Sequence, residues 1–88
     1  MNLGGIMQER KIVKVPTENG YFLFKLGKVL DEKGISNNQI MRDTNTKHDT
    51  LMGYVKGTLK RVDIDVLDRF CKYLNCELND IIEYVRNK

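Results

Sequence analysis

The chain has 88 residues, of which 41% are hydrophobic and 31% are charged, and its formal net charge at pH 7 is +3. These values are typical of one soluble folded domain with a single modest core, and they exclude a chain that is disordered throughout. No apolar run approaches the roughly 20 residues of a membrane span, and the start MNLGGIMQER lacks the apolar stretch of a signal peptide. We therefore expect a cytoplasmic protein that makes no contact with a membrane.

The first 24 residues predict a loose terminus followed by two β-strands. Residues 1–10 carry little to bury, so we expect a flexible N-terminus. The segments KIVKV and YFLF are rich in β-branched or aromatic residues, and PTENG between them is a turn signal. A β-hairpin over residues 11–24 is the direct interpretation, and pairing of one strand with its copy in a second subunit is the alternative. A lone hairpin is marginally stable, so we expect it to pack on the helices or on a partner.

Apolar residues at helical spacing predict the scaffold of the remaining chain. A first helix is expected over about residues 25–33. A fourth helix has Asp63 or Asp65 as its N-cap. The apolar stripe of that helix is Leu67, Phe70, Cys71 and Leu74. A short fifth helix is expected to begin near Asn79 and to continue through Val85.

The middle of the chain predicts two short helices, over about residues 36–44 and 46–56, joined by a tight turn. Ser36 and Thr46 carry the hydroxyls that favour helix N-caps. Asn45 lies where the chain must reverse, and asparagine tolerates the left-handed conformation that such a turn needs. Helices joined this closely must cross steeply. The pattern is therefore typical of a helix-turn-helix, which projects its second helix into the DNA major groove.

The positive charge of the chain is concentrated in the same region. Five basic and two acidic residues lie between Arg42 and Arg61, whereas ten basic and ten acidic residues lie in the rest of the chain. A solvated basic face is one explanation for such a cluster. Its coincidence with the second helix of the helix-turn-helix favours contact with a polyanion instead.

Four segments of the chain carry a family resemblance: GIS at 34–36, RDTNTKHDTL at 42–51, KG at 56–57 and RVDIDVLDRFCKYLNCELNDIIEY at 61–84. Together they resemble the Cro/CI-type helix-turn-helix family, also called lambda-repressor-like or XRE-like, in its small single-domain prokaryotic branch. The resemblance implies a compact five-helix domain over residues 25–86 and does not extend to the N-terminal segment. With the β-hairpin or β-arm expected there, we predict an all-α fold class for this lambda-repressor-like domain. The resemblance also implies a DNA-binding regulator of transcription that works as a dimer on a palindromic site.

The resemblance also implies which residues meet DNA. Base-contacting candidates are Lys47, His48, Asp49, Met52 and Gly53, although Gly53 stands where many relatives carry a long polar side chain. Phosphate-contacting candidates are Asn37, Asn38, Thr50, Lys56, Thr58, Lys60 and Arg61. General chemistry agrees, because a helix N-terminus offers free N–H groups to phosphate, lysine pairs with guanine, and a carboxylate accepts from the cytosine amino group.

The sequence gives little support for catalysis or for the binding of a metal or cofactor. His48 is the only histidine, and Cys71 and Cys76 lack the further Cys or His ligands of a zinc site. The chain has no glycine-rich phosphate loop, and it has no carboxylate pair or nucleophile–histidine pair at a recognisable spacing. We therefore predict neither an enzyme nor a bound metal or cofactor.

Together these patterns predict a sequence-specific regulator that binds double-stranded DNA through the helix at 46–56, most simply as a repressor on a palindromic operator. We expect a homodimer, with the N-terminal strand as one candidate contact. The alternative is a protein-interaction module, such as an antitoxin or anti-repressor, that uses the same scaffold to bind another protein. The sequence leaves the operator and any small-molecule effector open.

Overall fold

The computed structural model describes residues 12–87, in which five helices pack against a three-stranded antiparallel sheet. The elements in chain order are β1 (Val13–Pro16), β2 (Gly20–Phe24), α1 (Leu26–Lys33), α2 (Asn37–Thr44), α3 (His48–Lys56), α4 (Ile64–Leu74), α5 (Leu78–Ile81) and β3 (Ile82–Arg86). The expected flexible terminus at residues 1–10 lies outside the described residues.

The prediction of an all-α fold is wrong, because the last segment of the chain adds a third strand to the N-terminal hairpin. Helix α5 lasts only one turn, from a capping box between Glu77 and Asp80 to Ile81. Ile82, which was expected to continue the helix, has φ −135° and ψ 130° and begins β3 instead. The physical reason is tertiary: β3 pairs with β2 and packs the Tyr84 ring against the Phe22 ring, with centroids 5.0 Å apart.

Strand β2 is the centre of the sheet and pairs antiparallel with β1 on one side and with β3 on the other. The sequence left open whether β1 pairs within the chain or between subunits, and in this structure it pairs within the chain. Thr17 closes the hairpin by donating its backbone N–H to the carbonyl of Gly20 at 2.8 Å. The β1 edge that faces away from β2 has no partner strand among the described residues.

The core lies where all five helices and one face of the sheet meet. Its fully buried side chains are Leu26, Leu30, Ile40, Leu51, Tyr54, Phe70, Leu74 and Ile81. Tyr54 of α3 meets Phe70 of α4 edge to face, with ring centroids 5.5 Å apart. On α4 the buried stripe includes Val66, whereas Leu67 and Cys71 are only partly buried, so the helix is rotated from the face that the sequence predicted.

Replacing Phe24 tests whether the sheet and the helices form one cooperative unit. Phe24 on β2 is 5% exposed. We expect Phe24→Ala to lower the free energy of unfolding by about 3–5 kcal/mol, because it removes buried apolar surface and leaves a cavity. Urea unfolding followed by far-ultraviolet circular dichroism measures this loss through the helix signal.

The matched control is Ile12→Ala, since Ile12 is 43% exposed at the start of β1. We expect this change to stay within about 0.5 kcal/mol of the parent protein. A helix signal whose midpoint does not move in Phe24→Ala would mean that the sheet is an independent appendage.

Candidate nucleic-acid interface

Helix α2, the first helix of the helix-turn-helix, is capped at both ends by local sequence. The Ser36 Oγ accepts the backbone N–H of Gln39 at 3.1 Å, which confirms the predicted N-cap. At the other end Asn45 adopts the left-handed conformation, with φ 54° and ψ 50°, as predicted for the reversal. The first turn of α2 places half-buried Asn37 and exposed Asn38 beside the free N–H groups of the helix N-terminus.

Two buried threonines hold the turn between α2 and α3. The hydroxyl oxygens of Thr44 and Thr46 are 2.7 Å apart, and the Thr44 hydroxyl donates to the carbonyl of Ile40. The backbone N–H of Thr46 donates to the carbonyl of Met41 at 2.9 Å. The prediction that Thr46 caps α3 is therefore wrong, because its hydroxyl is used inside the turn. The residue at the N-cap of α3 is Lys47, which makes no side-chain capping bond.

Helix α4 braces the C-terminal end of α2. The Arg69 Nε donates to the carbonyl of Thr44 at 2.9 Å, and the Tyr73 hydroxyl donates to Asp43 Oδ2 at 2.6 Å. The hydrogen bond from Tyr73 holds the pKa of Asp43 below its usual value, and the Arg42 guanidinium, 3.2 Å from Asp43 Oδ1, adds to the effect. These contacts fix the direction in which α3 leaves the turn.

Helix α3 presents its N-terminal end to solvent. Lys47, His48 and Asp49 are all exposed, and the Asp49 side chain is as open as in an extended peptide. The His48 Nδ1 lies 3.7 Å from Asp49 Oδ1. Thr50 and Met52 are half-buried, and Met52 also packs against the core. The exposed first turn thus carries a cation, an imidazole and a carboxylate next to the positive end of the helix dipole.

Gly53 is buried, so the expectation that it occupies an outward position on α3 is wrong. A Cβ at this position would lie 2.5 Å from Leu59 Cδ2. The Gly53 carbonyl also accepts the backbone N–H of Thr58 at 3.1 Å. The missing side chain therefore lets the loop after α3 fold back on the helix. The sequence analysis did not single out Leu59. The one feature that indicates its packing is a glycine in a helix interior, which often marks the close approach of another segment.

The loop after α3 carries two exposed cations and is held in place at both of its ends. Lys60 and Arg61 are exposed, whereas Leu59 is partly buried against the core. At the end of the loop, the buried Tyr54 hydroxyl accepts the backbone N–H of Asp63 at 2.9 Å. Burial raises the pKa of Tyr54, which keeps this hydroxyl neutral. The two cations are therefore held beside α3 from both ends of the loop.

The sheet meets α3 at its C-terminal end. Gly57 ends α3 in the left-handed conformation, with φ 68°, which glycine adopts without strain. A Cβ on Gly57 would lie 2.8 Å from Val15 Cγ2 and 3.2 Å from both Phe24 Cδ1 and Val13 Cγ1. The exposed Lys56 precedes this contact. The sheet therefore supports the part of the interface that lies beyond the helix.

Four exposed cations surround α3 and are here called the basic surface: Lys47, Lys56, Lys60 and Arg61. None of them forms an ion pair with another residue in 12–87. The ion pairs of lysine and arginine in that range join Lys25 to Glu83, Lys28 to Glu32, and Arg42 to Asp43. The basic surface is therefore not neutralised by ion pairs within residues 12–87, and it can attract an anionic partner.

Residues 12–87 contain no group of three or more His, Cys, Asp and Glu side chains that could hold a metal ion. Within the same range no helix has the length and apolar character needed to cross a membrane. Cys71 and Cys76 are free thiols, and burial raises the pKa of both, that of Cys76 to about 11.

A comparison with known protein families matches residues 25–87 to the Cro/C1-type HTH DNA-binding domain. No curated protein and no solved structure matches the chain. The matched span begins after β2 and includes all five helices and β3.

Replacing Gly53 tests the packing of the loop on α3. We expect Gly53→Ala to lower the free energy of unfolding by about 1–3 kcal/mol, because the new methyl group overlaps Leu59. At an open helical site the same change would instead stabilise the protein by about 0.5–1 kcal/mol. Urea denaturation gives the sign of the change.

The double variant Gly53→Ala/Leu59→Ala is the matched control, because it removes the side chain that the methyl group meets. We expect the two changes to be coupled, with the double variant less destabilised than the sum of the single variants. Additive effects would contradict direct contact between the two positions.

Proposed function

The chain belongs to the Cro/C1-type helix-turn-helix DNA-binding family, as the resemblance predicted, and from this membership we propose that it represses transcription by binding a palindromic operator as a homodimer. The observation that carries the proposal is the basic surface at both ends of α3, whose cations form no ion pair within residues 12–87. Repression is the simplest mechanism, because occupying a promoter needs only the DNA-binding domain.

In the proposed complex the N-terminal end of α3 enters the major groove. Lys47 can donate to the O6 and N7 atoms of guanine, and Asp49 can accept from the N4 amino group of cytosine. His48 offers a donor or an acceptor at the same end of the helix. Met52 is half-buried, so its exposed portion offers an apolar contact to a thymine methyl group. Gly53 has no place among these contacts, because it faces Leu59.

The remaining candidates would hold the DNA backbone on both sides of α3. They are Asn37, Asn38, Thr50, Lys56, Thr58, Lys60 and Arg61. On one side, the capped N-terminus of α2 offers N–H groups and a positive dipole to a phosphate. On the other side, Lys60 and Arg61 are exposed on a loop that Tyr54 and Gly53 hold in place. Contacts of this kind set orientation and affinity, and they carry no base preference of their own.

A dimer would place two copies of α3 in successive major grooves, about 34–36 Å apart along the DNA. The unpaired edge of β1 is the dimer contact that we propose, because an open strand edge can pair with a second copy of itself. The described hairpin leaves this edge available without exchange of strands between subunits.

Replacing Lys60 or Arg61 tests the backbone contacts. We expect Lys60→Gln and Arg61→Gln each to weaken binding to all duplexes and to reduce the slope of log affinity against log salt by about 0.9 for each phosphate that is no longer neutralised. Fluorescence anisotropy at four salt concentrations measures both quantities. Lys28→Gln is the matched control, because Lys28 pairs with Glu32 on α1. A slope that stays the same in both loop variants would remove the loop from the interface.

Replacing Lys47 tests the base contacts. We expect selection from a random duplex library to enrich an inverted repeat, and Lys47→Ala to change the preferred base at one position of each half-site. The discrimination at that position should fall by about 1–3 kcal/mol. Lys56→Ala is the control, and it should weaken binding without changing the preferred sequence.

Two outcomes of this selection would count against the proposal. An identical preference profile in Lys47→Ala would exclude Lys47 from base contact. No enriched sequence for the parent protein, with binding that vanishes at physiological salt, would make protein interaction the leading function.

A further inference from the structure

A groove of about 290 Å³ separates the sheet from the loop that follows α3. Val15 and Phe22 form its wall on the sheet, and Leu59 and Val62 form its wall on the loop. The contacts assigned to DNA above do not use these apolar side chains. The groove opens beside Lys60 and Arg61, which also line it.

The strand register places apolar side chains along the groove. Val15, Phe22 and Tyr84 are paired across the three strands and therefore share one face of the sheet. On the same face, Val13, Val15 and Phe24 lie against Gly57 at the end of α3. Val15 and Phe22 remain only partly buried, and Tyr84 is exposed. On the opposite wall Val62 remains 51% exposed.

The charge of the groove selects an anion. Among the described residues its lining contains two cations and no carboxylate. Neither Lys60 nor Arg61 forms an ion pair with another residue of 12–87. A groove with apolar walls and two cations at its opening is complementary to a molecule that has a hydrocarbon portion and a single anionic group at one end.

We propose that this groove binds a small amphiphilic carboxylate, with its hydrocarbon chain between the sheet and Val62 and its carboxylate on Arg61 and Lys60. The planar guanidinium group matches a carboxylate with two parallel hydrogen bonds, and the lysine adds a second charge. The volume lies at the lower end of small-molecule pockets, about 300–1,000 Å³, so a single medium-length chain fits better than a lipid with two chains.

This proposal has a regulatory consequence that rests on the proposed function. The carboxylate would occupy the same two cations that we assign to DNA phosphates. Ligand and DNA would therefore weaken each other's binding by the same factor, as linkage requires. Such a carboxylate would act as an inducer that releases the protein from its operator.

Binding to the groove is tested first without DNA. Octanoate is titrated into the full-length protein with labelled methyl groups, and nuclear magnetic resonance follows the shifts. We expect saturable shifts confined to the methyl groups of Val15, Leu59, Val62 and Ile82, which line the groove. Octylamine, which has the same chain and the opposite charge, should bind at least about tenfold more weakly.

Three variants separate the contribution of the carboxylate from that of the hydrocarbon chain. Lys60→Gln/Arg61→Gln should bind octanoate about tenfold more weakly, because the charge-assisted hydrogen bonds are removed. Lys47→Gln/Lys56→Gln removes two other cations of the basic surface and should keep the parent affinity. Val62→Gln, at an exposed position that should not impair folding, should weaken binding while leaving the cations in place. Any of three results would overturn the proposal. They are the absence of a saturable shift with octanoate, equally tight binding of octylamine, and an unchanged affinity for octanoate in Lys60→Gln/Arg61→Gln.

The competition is tested with the selected operator duplex by fluorescence anisotropy. Saturating octanoate should weaken DNA binding by the parent protein, whereas equimolar acetate and the Val62→Gln variant should show little effect. An unchanged DNA affinity at saturating octanoate would overturn the inducer role. If no duplex binds at all, the proposed function fails, and the DNA-free titration still decides whether the groove binds a carboxylate.

Discussion

The buried hydrogen bonds around Thr44 and Thr46 are the constraint on which the orientation of α3 depends. Each buried hydroxyl would destabilise the fold by about 1–3 kcal/mol if it lacked a partner. The two hydroxyls satisfy each other and the carbonyl of Ile40, while Arg69 satisfies the carbonyl of Thr44. The angle between α2 and α3 is therefore set inside the turn, and α4 reinforces it.

Helix α3 contributes to the core on one side and to the proposed DNA interface on the other. At nine residues it is too short to be stable alone in water, so its helical form depends on what it buries. Leu51, Tyr54 and Val55 supply that burial on one side. Gly53 adds the contact with Leu59 that positions the basic loop. The exposed end of the helix is thus rigid because its inner side is packed, which reduces the ordering that DNA binding would require.

The sequence predicts several features that depend on neighbouring residues, although it misplaces the N-cap of α3, and it does not predict features that depend on distant partners. The cap at Ser36 and the reversal at Asn45 involve bonds across only a few residues, so local chemistry predicts them. Strand β3 pairs with a segment about 60 residues earlier, which no local pattern reveals. For the candidate site, the sequence predicts which positions of α3 carry charged side chains. It does not give the rotation of the helix, which buries Gly53 and exposes Asp49.

The position of β3 has a consequence for the order in which the chain folds. The main contacts among α1 to α4 join helices that are at most two apart in the chain, such as α1 with α3 and α2 with α4, whereas the pairing of β2 with β3 joins opposite ends of the described chain and must form more slowly. During synthesis β2 leaves the ribosome early but receives β3 only after all five helices have emerged. Until then one edge of β2 is open to pairing with other chains. The unfinished protein is therefore exposed to aggregation through β2, a strand that becomes the protected centre of the sheet once β3 has emerged from the ribosome and paired with it.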